Sequence, residues 1–174
     1  MTQERAIPVS VRELLEQSHS DDALLFFVTI THPELTGDIR LVIDGADYVI
    51  GGNTWHKSNF DLQLLNDSEG PPQATFRFPN VDRSATMMLR NVNGPARVRF
   101  DIYPASYFDL SADPRTVKNG VTLTSVYTAQ ELFLVNVAIS STEVSGNLKS
   151  WDYRQENWPD VLATETLLPG VWAQ

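Results

Sequence analysis

The sequence predicts an all-β fold, mainly an antiparallel sandwich or barrel, with two short helices. Two observations carry this prediction. Several short segments alternate apolar and polar residues with the period of a half-buried strand, and glycine or proline residues end most of them. A chain of 174 residues is also long enough for one domain with its own hydrophobic core. A mixed α+β domain is the alternative that the pattern leaves open.

The first predicted elements are a short helix and a central strand. Ser10 stands three residues before Glu13, a spacing typical of a capping box, and the helix that it predicts ends near Ser18. The run at residues 23–31 is dense in strand formers and is closed by Pro33. Because this run is apolar for almost all of its length, we expect a central strand.

Four more strands are predicted between residues 38 and 64. Apolar residues at 39, 41 and 43 face one way, and residues 40 and 42 face the other. Segments 48–50 and 54–56 flank Gly51 and Gly52, which can adopt the positive φ of a tight hairpin turn. Phe60, Leu62 and Leu64 alternate again and predict a further strand.

The middle of the chain predicts a strand, a helix and another strand. Ala74, Phe76 and Phe78 alternate with polar residues before Pro79. The apolar spacing then changes to three and four residues, which predicts the second helix, at 82–92. Residues 98, 100 and 102 restore the strand period, with Arg97, Arg99 and Asp101 on the opposite face.

The last predicted strands follow a long connection. Residues 107–125 hold Pro114, Gly120 and many polar side chains, which predicts a long exposed loop or a loose hairpin. Residues 130–140 are apolar on both faces for most of their length, so we expect a sandwiched strand, with Leu132, Leu134 and Asn136 on one face. Residues 142–148 predict the strand that pairs with it.

The strand pattern ends near residue 150. We therefore divide the chain into a β-sandwich or barrel domain with its short N-terminal helix, at 1–150, and a C-terminal docking arm, at 151–174. The arm has no sustained period and cannot bury its aromatic side chains by itself, so we expect it to contact a partner. The predicted contact residues are Trp151, Tyr153, Trp158, Leu167, Leu168 and Trp172.

Composition excludes several kinds of site. The chain has no cysteine, so disulfides, thiolate metal centres and a cysteine nucleophile are excluded. His19, His32 and His56 lie in separate segments without metal-ligand spacing, and the sequence has no serine-hydrolase elbow and no phosphate-binding loop. A formal net charge of −9 disfavours a dedicated nucleic-acid binder. We expect a protein that is not an enzyme and that binds no cofactor and no metal.

Two rival functions remain open. The first is a carbohydrate-binding module of a receptor-recognition apparatus, with three aromatic side chains along a shallow site. These residues are Trp55, Tyr107 and Tyr127. The second is a hydrolase built on Asp109, Asp113 and Glu131, which requires these carboxylates to meet across a cleft.

The order of the predicted segments resembles a family of phage tail proteins known as domain of unknown function 1833. The resemblance begins with the N-terminal helix before Ala-Leu-Leu-Phe-Phe-Val-Thr-Ile-Thr-His-Pro. It continues with the Ile-Arg-Leu-Val strand, Phe-Pro-Asn-Val-Asp-Arg before the second helix, the Val-Arg-Phe-Asp-Ile-Tyr strand and the closing Leu-Pro-Gly. It covers nearly the whole chain.

This resemblance implies a minor tail protein, a structural part of the virion that forms a ring in the tail tip or baseplate between the tail tube or distal tail protein and the hub. Its partners would be further copies of itself, in a threefold or sixfold ring, and the neighbouring tube, distal tail and hub proteins. DNA would pass through the lumen only as non-specific cargo, and we expect no membrane partner. The protein would reside in the virion tail tip after assembly in the host cytoplasm.

Overall fold

The fold is all-β, as predicted, and is built on one mixed sheet. The computed structural model describes Val9, Arg12, Glu16 and residues 22–62, 73–79 and 93–150. Its strands are β1 (Leu24–Thr31), β2 (Ile39–Val42), β3 (Tyr48–Ile50), β4 (Asn53–Lys57), β5 (Asp61–Leu62), β6 (Gln73–Pro79), β7 (Ala96–Pro104), β8 (Arg115–Thr116), β9 (Tyr127–Ile139) and β10 (Glu143–Ser150). The hydrogen-bonding order is β5-β6-β10-β9-β7-β1-β2-β4-β3-β8.

The predicted helices fall largely outside the described residues. Val9, Arg12 and Glu16 have helical backbone and are exposed, whereas the rest of the first predicted helix and all of the second, at 82–92, are not described. Ala105–Tyr107 form one 3-10 turn after β7. Within the described ranges, no helix has the length and apolar character needed to cross a membrane.

The sheet curls on itself because a short link joins two strands that are far apart in it. Residues 58–60 connect the end of β4 to the start of β5, and this link spans at most about 15 Å. In a flat sheet of this order the two strands would lie seven spacings apart, or about 34 Å. The sheet must therefore roll up until β5 approaches β2 and β4, which gives a barrel-like shape.

The concave face of the rolled sheet carries the main hydrophobic core. The ring centroid of Phe76 on β6 lies 5.6 Å from that of Phe60 and 5.8 Å from that of Phe100 on β7. Since β10 and β9 separate β6 from β7 in the sheet, the second contact crosses the interior. Side chains thus fill this interior. The other buried members are Val28, Ile30, Ile39, Ala74, Phe78, Ala96, Val98, Leu132, Leu134, Val144 and Leu148.

Strand β1 is buried on both faces, which confirms the prediction of a central strand. Val28 and Ile30 lie in the concave core, while Leu25 and Phe27 belong to a second cluster on the convex face. Hydrogen bonds to β2 on one side and to β7 on the other complete its burial. The strand therefore connects both cores.

The hairpin of β3 and β4 confirms the predicted turn. Gly51 and Gly52 have φ of +57° and +80°, values that residues other than glycine rarely adopt. These angles give the backbone twist that a tight hairpin turn needs. The hairpin places Tyr48 and Trp55 opposite each other. Both side chains then pack on the convex face of the sheet.

Strand β9 is longer and less regular than predicted. Residues 130–131 face the single residue Arg99 on β7, and residues 136–137 face the single residue Gly146 on β10, so the strand has two β-bulges. Asn136 has a φ of 54° and is exposed. The predicted alternation, which put Asn136 beside Leu134, is interrupted at the second bulge.

The connection at 107–125 is largely exposed and forms a loose hairpin, as predicted, and it is anchored at Phe108 and Val117. Phe108 is fully buried and forms a β-bridge with Val117. Strand β8 pairs with β3 in parallel. Most of the connection is exposed, including 110–114 and 118–120, whereas Phe108 packs on the convex face.

The predicted docking arm lies outside the described residues. The same holds for its contact residues, which are Trp151, Tyr153, Trp158, Leu167, Leu168 and Trp172. The division at residue 150 stays a prediction, and strand β10 reaches that residue.

Replacing Gly146 by alanine is expected to destabilise the fold. The added Cβ would lie 2.7 Å from Leu134 Cδ1 and 3.3 Å from the Val135 carbonyl oxygen, so the buried Leu134 side chain would have to shift within the core. We expect Gly146→Ala to lower the free energy of unfolding by about 1–3 kcal/mol in urea denaturation. Gly37→Ala is the control, because its Cβ meets no atom within 4 Å; equal stability of the two variants would contradict the packing described for the bulge.

Candidate interaction site

The convex face carries an aromatic cluster centred on Phe27. The ring of Phe27 meets those of Tyr48 at 5.4 Å, Tyr103 at 5.5 Å and Trp55 at 6.1 Å edge to face, and stacks on Phe108 at 5.6 Å, all between centroids. Edge-to-face and offset contacts of this kind suit the charge distribution of aromatic rings. The cluster fixes the β3–β4 hairpin and the 105–117 segment to the sheet.

A polar network closes one side of the aromatic cluster. Arg115 Nη1 donates a hydrogen bond to Tyr48 Oη at 2.9 Å, and both Arg115 and the Tyr48 hydroxyl donate to Asp44. The Arg115 guanidinium also lies 5.6 Å from the centre of the Tyr48 ring. Burial, assisted by the hydrogen bond to Asp44, raises the pKa of Tyr48 to about 12. The network therefore holds Tyr48 neutral and ties β8 to β3.

An open groove of about 540 Å³ lies beside the cluster on the convex face, across β7, β1, β2 and β4. We call it the arginine groove, because three arginines line it. The first bulge of β9 places Gln130 at its rim, opposite Arg99. The lining residues are Thr29, Thr31, Arg40, Asn53, Trp55, Arg97, Val98, Arg99, Asp101, Tyr103 and Gln130.

Two of the arginines in the groove are held by carboxylates. Arg99 binds buried Asp101 through a two-point contact, with Nε to Oδ2 at 2.8 Å and Nη2 to Oδ1 at 3.0 Å. This hydrogen bonding raises the pKa of Arg99. Arg40 binds Asp38 at 2.6 Å, and its guanidinium lies 5.5 Å from the centre of the Trp55 ring. Both guanidinium groups are therefore fixed in place along the groove.

Arg97 differs from Arg40 and Arg99 in that it has no carboxylate partner among the described residues. Its side chain is exposed, and among the described residues it has no carboxylate within salt-bridge distance. The groove thus presents one guanidinium whose donors remain available.

The three aromatic residues predicted for a sugar site do not line one surface. Trp55 lines the arginine groove, where Phe27 meets its edge and Arg40 lies over its ring. Tyr107 packs against the aromatic cluster without lining the groove. Tyr127 lies on β9, opposite Ile102.

The carboxylates of the hydrolase alternative occupy different elements. Asp109 and Asp113 lie on the loop before β8, and Glu131 lies on β9. Hydrogen bonds from the Ser111 hydroxyl and backbone N–H lower the pKa of Asp109, whereas a general acid for glycoside cleavage needs a raised pKa. In the described part of the chain, no group of three His, Asp or Glu side chains could hold a metal ion.

The arginine groove was not predicted as a site. The sequence does show Arg97 and Arg99 on the polar face of their strand, but the third arginine comes from β2. Strand pairing brings them together, because Thr29 on β1 lies opposite both Arg40 and Arg99. A single sequence does not reveal which strands are neighbours.

Comparison with protein families shows which family the chain belongs to. The family model described as Domain of unknown function (DUF1833) matches residues 10–162 of the chain. No curated protein matches the chain. The matched range includes the whole described sheet and the first part of the predicted arm.

The dependence of the free energy of unfolding on alkaline pH tests the Tyr48 network. Tyrosine ionises near pH 10 in an unfolded chain, but only at about 12 for folded Tyr48. Between these values the unfolded state binds fewer protons, so the free energy of unfolding falls as pH rises. We expect urea denaturation at each pH to show that wild type loses about 2 kcal/mol more than Tyr48→Phe between pH 9 and 12.

Tyr107→Phe is the control for this experiment, since Tyr107 lies outside the network, and it should keep the wild-type pH dependence. An unchanged pH dependence in Tyr48→Phe would show that the Tyr48 hydroxyl is not the group responsible.

Proposed function

Since this chain belongs to the family described as Domain of unknown function (DUF1833), we propose that it is a structural component of a phage tail tip or baseplate. In this proposal it forms a ring, with threefold or sixfold symmetry, between the tail tube or distal tail protein and the hub. It acts through contacts between proteins rather than through catalysis. The order of its strands and motifs, which resembles that of phage tail proteins, supports this assignment.

The exposed apolar end of the β9–β10 hairpin is the observation that carries the proposal. Strand β7 begins opposite Leu134, so residues 135–139 of β9 project past the start of β7. Val137 and Ile139, two residues apart on this segment, are 40% and 38% exposed. Residues at this spacing share one face of a strand. A small apolar surface on a projecting hairpin favours contact with another protein.

The filled interior supports the same proposal. The concave core consists of packed aliphatic and aromatic side chains, so binding would take place on the outside of the rolled sheet. The formal net charge of −9 is compatible with a ring whose lumen passes DNA, because few basic groups would attract phosphates. We further propose that the arm at 151–174 packs on a neighbouring subunit and shelters Trp158 and Trp172 there.

Assembly of the full-length chain tests this function. We expect mass photometry to show a ring-sized species for the chain with the proteins encoded by neighbouring tail genes, or alone. Val137→Thr combined with Ile139→Thr keeps β-branched residues, and hence strand propensity, but removes apolar surface. These changes should lower the fraction of chain in the ring at least fivefold without changing the melting temperature.

Val49→Thr is the control, because it replaces valine by threonine on β3, away from the β9–β10 hairpin. It should leave assembly unchanged. A wild-type chain that stays monomeric in the presence of the tail proteins would count against the proposed function.

A further inference from the structure

We propose that the arginine groove receives the acidic loop at residues 109–113 of a neighbouring copy of this chain. The inference rests on the proposed ring and names the contact that joins its subunits. It identifies a basic recognition site on one copy and the carboxylates that fill it on the next.

The groove offers hydrogen-bond donors in excess of acceptors. Asp101 is the carboxylate that lines it, and its oxygens already accept two hydrogen bonds from Arg99 and one from Thr128 at 2.7 Å. Asp101 is only 8% exposed, so it offers little to an incoming cation. The groove therefore suits an anionic ligand.

Arg97 is the group that selects the ligand. It lies opposite Thr31 on β1, next to the row formed by Arg40, Thr29 and Arg99. Its five N–H donors are exposed and lack a carboxylate partner among the described residues. A planar guanidinium of this kind matches the two oxygens of a carboxylate. Arg40 and Arg99 are paired with Asp38 and Asp101, so Arg97 supplies the net positive charge of this part of the groove.

The charge of the chain favours a second copy as the source of that carboxylate. The chain has 22 acidic and 13 basic residues, so two copies repel each other over most of their surfaces. A place where opposite charges meet would offset this repulsion. The arginine groove provides such a surface, because Arg97 has no carboxylate partner among the described residues and lies beside the paired Arg99.

The loop before β8 has the complementary chemistry. Asp109 and Asp113 flank Leu110, which is 48% exposed, and residues 110–114 are exposed throughout. Hydrogen bonds from Ser111 orient the Asp109 carboxylate, with N to Oδ1 at 3.1 Å and Oγ to Oδ1 at 2.6 Å. The loop is therefore a shaped, acidic projection.

Both ends of this loop are anchored to the body. Phe108 is fully buried in the aromatic cluster, and the Arg115 N–H donates to the Asp47 carbonyl oxygen at 2.7 Å. Anchoring reduces the entropy that the loop would lose on binding. Because the loop and the groove are built from different residues, one copy can use both at once, which gives a head-to-tail contact that can close into a ring.

Charge reversal and its rescue test this contact in the full-length chain. We expect Arg97→Glu and Asp113→Arg, each alone, to lower the fraction of chain in the ring at least tenfold in mass photometry. The chain carrying both changes should return to within about threefold of wild type, because the two charges are exchanged. Both sites are exposed, so melting temperatures should stay within the range of wild type.

Arg77→Glu is the matched control. Arg77 is an exposed arginine on β6 outside the groove, and its reversal should change assembly less than twofold. This variant separates an effect of the groove from an effect of net charge.

The outcomes distinguish this inference from the proposed function. A wild-type ring that Arg97→Glu leaves intact would overturn the groove contact while leaving the ring in place. Loss of assembly in both single variants without rescue in the double variant would also overturn it and would point to another anionic partner. A wild-type chain that forms no ring with or without the tail proteins would overturn both.

Discussion

The burial of β1 on both faces is the constraint on which the rest of the structure depends. Val28 and Ile30 require a concave sheet that closes over them, and Phe27 requires a second layer on the convex side. A strand with only one apolar face would allow an open, one-sided sheet. Here the same eight residues organise both a rolled sheet and the hairpin and loop that pack against it.

The second layer also determines which part of the convex face stays open. The aromatic cluster around Phe27 covers one part of the convex face and leaves the neighbouring part open as the arginine groove. The groove floor is formed by paired strands rather than by loops, so its arginines occupy fixed positions in the strand register. A surface built in this way would lose little conformational entropy in the proposed contact.

Local patterns predicted most of the strands, whereas features that depend on strand neighbours could not be predicted. The alternation at 74–78 and the glycine pair at 51–52 are patterns that span only a few residues. The strand and the turn that they predict are both confirmed. The two bulges of β9 depend on Arg99 and Gly146 in other strands. The grouping of Arg40 with Arg97 and Arg99 likewise depends on β1 lying between their strands. The predicted contact residues of the arm lie outside the described residues, so they stay a prediction.

The lengths of the two end strands affect how readily another chain can pair with the edges of the sheet. Strands β5 and β8, which end the described sheet, have two residues each. An edge this short presents few unpaired N–H and C=O groups to a passing chain, so it is a poor template for adding further strands. The free chain is therefore not expected to polymerise by adding strands at β5 or β8.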